Sequence, residues 1–124
     1  MTRNELHTAK QMLKNYDILV AEVRNHEAKV DEIFDELEEE GVNADTEEGE
    51  KIANARLVAA GLSDENGQTD LYVKRSEARV NLVNYIIDHL VGKMIPAQDR
   101  EMLRGANISY QFKIIDLARK LLAA

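Results

Sequence analysis

The sequence predicts an all-α fold, a bundle of four to five helices led by a long N-terminal helix of coiled-coil character. Three observations carry that expectation. The first forty residues hold an unbroken heptad-like apolar stripe. Proline occurs once and aromatic residues are 5% of the chain, against the aromatic- and turn-rich habit of a β-sandwich. Hydrophobic residues are 44% and charged residues 31%, enough apolar material for a packed core in a chain of 124 residues, the length of one domain.

The stripe reads Leu6, Ala9, Leu13, Tyr16, Val20, Val23, Glu27, Val30, Phe34 and Leu37. Nine of these ten positions are apolar or aromatic, and no glycine or proline interrupts them, so 1–40 is expected to be one long amphipathic helix. Met12, Leu19, His26 and Ile33 flank the stripe and widen it, which suits a helix packed against two neighbours. Such a helix is about 50 Å long at about 1.5 Å per residue. A compact domain of this size has a radius of gyration of about 14 Å. The expectation is therefore that a second copy covers the stripe, with Leu13, Tyr16, Val20, Val23, Val30, Phe34 and Leu37 as the oligomer interface.

The last turns of that helix crowd Asp31, Glu32, Asp35, Glu36, Glu38, Glu39 and Glu40 together, and Gly41 is placed to close it. Like charges four residues apart cost a few tenths of a kcal/mol per pair, and the C-terminal end of a helix disfavours anions. The ordinary reading is a solvated, fraying end. The sharper one is an acidic patch (Asp35, Glu36, Glu38, Glu39, Glu40) that meets a basic partner surface.

A second, short helix is expected over 45–61. Asp45 with Glu48 has capping-box spacing, Thr46 is the alternative cap, and Gly61 fits a left-handed ending that returns Leu62 onto Leu57. Residues 63–68 form the main loop, where Asn66-Gly67 is turn chemistry with too little flanking alternation for a hairpin. A central helix is expected over 69–95, capped by Thr69. It is apolar on most sides from Val80 onward and ends through Gly92 and Pro96. A helical hairpin over 96–124 completes a single domain, its last helix marked by Ile108, Phe112, Ile115, Ala118 and Leu122.

Charge and composition exclude several functions. With no cysteine there is no disulfide, thiolate metal site or cysteine nucleophile. The net charge of −7 is uneven: residues 1–62 carry −8 and residues 63–124 carry +1, so polyanion binding is expected only in the second half. No glycine pair has dinucleotide-fold or P-loop spacing, and Ser63, Ser76 and Ser109 lie outside any nucleophile elbow. The polar start (Met1-Thr2-Arg3-Asn4-Glu5) has no signal-peptide core, and no uncharged run approaches the roughly 20 residues of a membrane span. A cytoplasmic protein with no membrane partner is expected.

Three scattered histidines make no metal site by themselves. His7 falls on the polar side of the first helix, and His89 reads as a satisfied polar group beside the core. His26 stands four residues from Glu22, a spacing that could clamp a metal, though a hydrogen-bonded histidine in a helix interface is the commoner arrangement. Glu36 and Glu39 show the Glu-x-x-Glu spacing of the all-α nucleotide pyrophosphohydrolases, which hold Mg²⁺ between two helices. The later carboxylate pair is missing, since Glu65 and Asp70 stand five apart in a loop. No cofactor, metal or catalytic residue is therefore assigned.

The C-terminal half offers a nucleic-acid alternative. Asn107-Ile108-Ser109-Tyr110-Gln111 resembles the turn of a helix-turn-helix, one residue off the usual spacing. Arg104, Tyr110, Gln111 and Lys113 would then face bases or phosphates, as in a DNA-binding transcriptional regulator. The weak basic balance of this half argues for a packed helical hairpin instead. The favoured expectation is a non-enzymatic homo-oligomeric adaptor, regulator or assembly protein with a protein partner.

Overall fold

The computed structural model describes residues 2–65, 68–91, 105 and 107–123. The fold is all-α, with four helices and no strand among the described residues. Helix α1 runs Arg3–Glu39, α2 Glu47–Ala59, α3 Leu71–Tyr85 and α4 Ile108–Leu122; α3 continues directly into a π-helical turn, Ile86–Val91.

Helix α1 starts in a reciprocal capping box. The Thr2 hydroxyl accepts from the Glu5 amide at 3.1 Å, and the Thr2 amide donates to Glu5 Oε1 at 3.0 Å. Its other end closes at Gly41, whose φ of +80° suits a residue without a Cβ. The Gly41 amide donates to Glu38 O and the Val42 amide to Leu37 O, the paired bonds of a Schellman ending.

Helix α2 repeats this ending: Gly61 has φ +73°, its amide donates to Val58 O, and the Leu62 amide donates to Leu57 O. At its start Thr46 is the cap, accepting from the Gly49 amide at 3.0 Å. Asp45 does not form the capping box that its spacing with Glu48 suggests; its own amide donates to Asn43 Oδ1 instead, in a turn that precedes the helix. Thr69 stands before α3, its hydroxyl 3.4 Å from the Leu71 amide. Asn107 caps α4 by accepting from the Tyr110 amide at 2.9 Å, and Arg119 and Lys120 complement the dipole in its last turn.

Packing divides the chain into two compact units, Met1–Leu19 with Val73–Ala124, and Val20–Tyr72. The second unit buries Val23 and a cluster of Ile33, Leu37 and Ala53, against which Val42, Leu57 and Leu62 pack. Both Schellman endings serve this cluster, because each folds the residue after its glycine (Val42, Leu62) back over the core. The first unit buries Ala9 and Tyr16 of α1, Leu82 and Val83 of α3, Ile86 and Ile87 of the π turn, and Ile115, Ala118 and Leu122 of α4.

The central helix differs from its expectation in two ways. Val80, expected within the buried stretch, is exposed. The α-helical pattern also widens at Ile86 into i→i+5 geometry, for which hydrophobic periodicity has no signature. Residues 92–95, and the first arm of the C-terminal hairpin over 96–104, lie outside the described residues, as does the Asn66-Gly67 turn.

Candidate functional site

The seven stripe residues assigned to an oligomer interface divide by burial. Tyr16, Val23 and Leu37 are buried within the single chain, Leu13, Val20 and Val30 are half-buried, and Phe34 is 38% exposed. The expectation that so short a chain cannot cover this flank therefore does not hold at Tyr16, Val23 and Leu37. At Leu37 the reason is visible: α2 and the two loops that return after Gly41 and Gly61 lie over it. A heptad register identifies the face that is covered. It carries no information on whether the cover comes from the same chain.

All five residues of the acidic patch are exposed. Glu40 pairs with Arg56 of α2, and this carboxylate, helped by Glu36, raises the Arg56 guanidinium above its ordinary range. Asp35, Glu36, Glu38 and Glu39 remain on the surface beside Phe34. An open groove of about 490 Å³ lies along this end, with Phe34, Leu37, Val42 and Ala44 as its apolar lining and Glu38 and Asp45 at its charged edge.

Each histidine has a definite setting. His7 is exposed. His26 meets the Tyr72 ring edge-on at 6.1 Å, and the Tyr72 hydroxyl donates to Glu27 Oε1 at 3.0 Å, so Tyr72 rather than Glu22 organises this face. His89, in the π turn, stacks on Tyr85 at 4.2 Å and bonds through Nδ1 to Glu5 Oε2 at 2.9 Å. Tyr85 also reaches the Glu5 carbonyl at 3.4 Å, so the π turn and the first turn of α1 are joined through one glutamate. Sequence reading passed over Glu5, although Thr2-x-x-Glu5 has the spacing of the capping box that orients it. Glu36, Glu39, Glu65 and Asp70 are exposed, and among the described residues no three histidine or carboxylate side chains gather where a metal ion could sit.

The nucleic-acid candidates are also separated. Arg104 lies outside the described residues. Tyr110 and Lys113 are exposed on α4, but Gln111 accepts from Arg79 Nε at 3.0 Å, and the Arg79 guanidinium lies 5.9 Å from the Phe112 ring centre. Gln111 is thus held against α3 within the chain and is withdrawn from the set that would read bases. On another side of the helix, Arg119 clasps Asp17 of α1 with both guanidinium nitrogens, at 2.8 and 2.5 Å. That fork holds the Asp17 carboxyl below the usual carboxylate range, against a partial opposing effect of burial, and raises Arg119 in turn.

No protein-family model, curated protein or solved structure matches this chain.

The most informative surface is α4. Ile115, Ala118 and Leu122 face inward, while Tyr110, Leu117 and Leu121 are 43%, 48% and 46% exposed. The exposed three recur at i, i+7 and i+11 and so share a face. Half-buried Ile114 borders them, and Lys113 and Lys120 stand exposed beside them. An apolar band wider than the part buried within the chain leaves a flank for a second cover. Among the described residues no helix is long and apolar enough to cross a membrane, so a lipid-spanning role does not account for that face.

Proposed function

We propose that this chain is a non-enzymatic, cytoplasmic, self-associating helical protein, an adaptor, regulator or assembly factor that acts through helix faces. The observation that carries the reading is the apolar flank of α4 formed by Tyr110, Leu117 and Leu121, left exposed beside the face that the chain buries. Three large apolar side chains in register on a stable helix are the usual anchor of a helix-mediated contact. The basic residues beside them favour an acidic partner surface.

The test is sedimentation of the full chain across a range of concentrations, compared with Leu117→Asp. Leu117 is about half exposed, so the variant should keep its helix content and melting temperature and lose self-association. A wild-type chain that sediments as a lone protomer throughout, or a Leu117→Asp variant that associates normally, would overturn the reading. A low-salt gel shift with genomic fragments addresses the DNA-binding alternative, and no shift is expected.

A further inference from the structure

The groove at the end of α1 and the exposed face of α4 match each other in chemistry. The groove offers Phe34, Val42 and Ala44 with Glu38 and Asp45 at its edge. Helix α4 offers Tyr110, Leu117 and Leu121 with Lys113 and Lys120 alongside. Contacts of either surface with its own copy are electrostatically poor. An antiparallel pair of α4 helices sets Lys113 of one copy opposite Lys120 of the other, and two grooves face to face set Glu38 and Asp45 against the same carboxylates. A two-fold contact of this kind presents the same patch from both sides, so a patch of one sign repels itself. Joining the two different surfaces brings apolar residues onto apolar residues and lysines onto carboxylates.

We propose that α4 of one copy docks, helix in groove, onto the Phe34 groove of a second copy. This rests on the self-association reading above and specifies its contact. The contact is head-to-tail, so a singly joined pair still presents one free groove, on one copy, and one free α4 face, on the other. Assembly then either closes, by two copies docking reciprocally or by a larger ring, or continues as a series of growing oligomers.

The experiment uses two full-length charge-reversed variants, Glu38→Lys/Asp45→Lys and Lys113→Glu/Lys120→Glu. All four positions are exposed, and matched melting curves check that each variant is folded. In each variant alone the docking surfaces carry like charge, and self-association measured by sedimentation in low salt should weaken about tenfold, as expected when two rim pairs change from attraction to repulsion. Mixed one to one, every groove meets an α4 of opposite sign, and assembly should return to the wild-type level. Variants that associate as the wild type does, or a mixture that fails to recover, would overturn the docking. Should Leu117→Asp still abolish a wild-type assembly that is indifferent to these reversals, self-association stands and this contact falls. A wild-type chain that never associates removes both.

Discussion

Leu37 and Phe34 lie on the same apolar stripe, yet the structure assigns them different energetic roles, and the difference can be measured. Leu37 is 1% exposed, in the cluster with Ile33 and Ala53. Replacing it with alanine removes three carbons from full burial, about 2.4 kcal/mol at roughly 0.8 kcal/mol for each buried carbon group. Part of the resulting cavity remains open, because Ile33 and Ala53 are fixed on helices while Val42, Leu57 and Leu62 can close in, so the total should be about 3 kcal/mol. With a urea m-value of about 1.5 kcal/mol/M, the unfolding midpoint reported by helical circular dichroism falls by about 2 M. Phe34→Ala removes a side chain already more than a third in water and should cost about half as much. The decisive feature is concentration dependence. Were Leu37 buried between copies, the gap between wild type and Leu37→Ala would shrink on dilution, as linkage to association requires. The structure requires the gap to persist in the most dilute sample. A cost below about 1 kcal/mol, or one that vanishes on dilution, would refute burial of Leu37 within a single chain.

Two glycines give opposite steric tests. A Cβ on Gly49 would lie 1.8 Å from Asn43 O, so Gly49→Ala should displace the turn before α2 and lower thermal stability by more than the roughly 1 kcal/mol of helix propensity that alanine supplies. At Gly41 nothing lies within 4 Å, and Gly41→Ala should cost only the left-handed strain of about 1–2 kcal/mol; equal melting temperatures for Gly49→Ala and wild type would contradict the close approach. The third test uses pH. Because Arg119 lowers the Asp17 carboxyl in the folded state, the pair stabilises above the unfolded carboxylate pKa and its contribution is lost as pH falls through the lower folded value. Both side chains are more than 40% exposed, so the difference between wild type and Asp17→Asn should stay under about 1 kcal/mol at neutral pH and shrink as pH falls below the usual carboxylate range, as chemical denaturation at neutral and at acid pH would show.

Local chemistry was the legible part of this sequence. Gly41 and Gly61 announce their helix endings and Thr46 is a competent cap for α2, because these signals depend on a few neighbouring atoms, whereas Asn107, which resembles part of a helix-turn-helix turn in the sequence, is the cap of α4. The Asp45–Glu48 spacing suggested a cap one residue too early, since two adjacent residues each had a capping oxygen and the Asn43 turn decided between them. What the heptad stripe left open was who covers it. Periodicity records which side of a helix avoids water, and α2 satisfies Leu37 as well as a second molecule would. The Asp17–Arg119, Glu5–His89 and Arg79–Gln111 contacts join residues 102, 84 and 32 positions apart, and no pattern along the chain marks such pairs.

That division bears on function. Helix α1 contributes residues up to Leu19 to one unit and from Val20 onward to the other, so one continuous helix supplies side chains to two cores. Its most deeply buried positions, Ala9, Tyr16, Val23 and Leu37, are thereby used in holding the chain itself together. Surfaces that act on other molecules must then be found among apolar residues that folding leaves uncovered, and five of those lie on α4: Ile108, Tyr110, Phe112, Leu117 and Leu121. Phe112 is engaged by Arg79, and Ile108 stands at the start of the helix. Tyr110, Leu117 and Leu121 are left in register, which is why a single charged substitution at Leu117 tests the function while one at Leu37 tests only the fold.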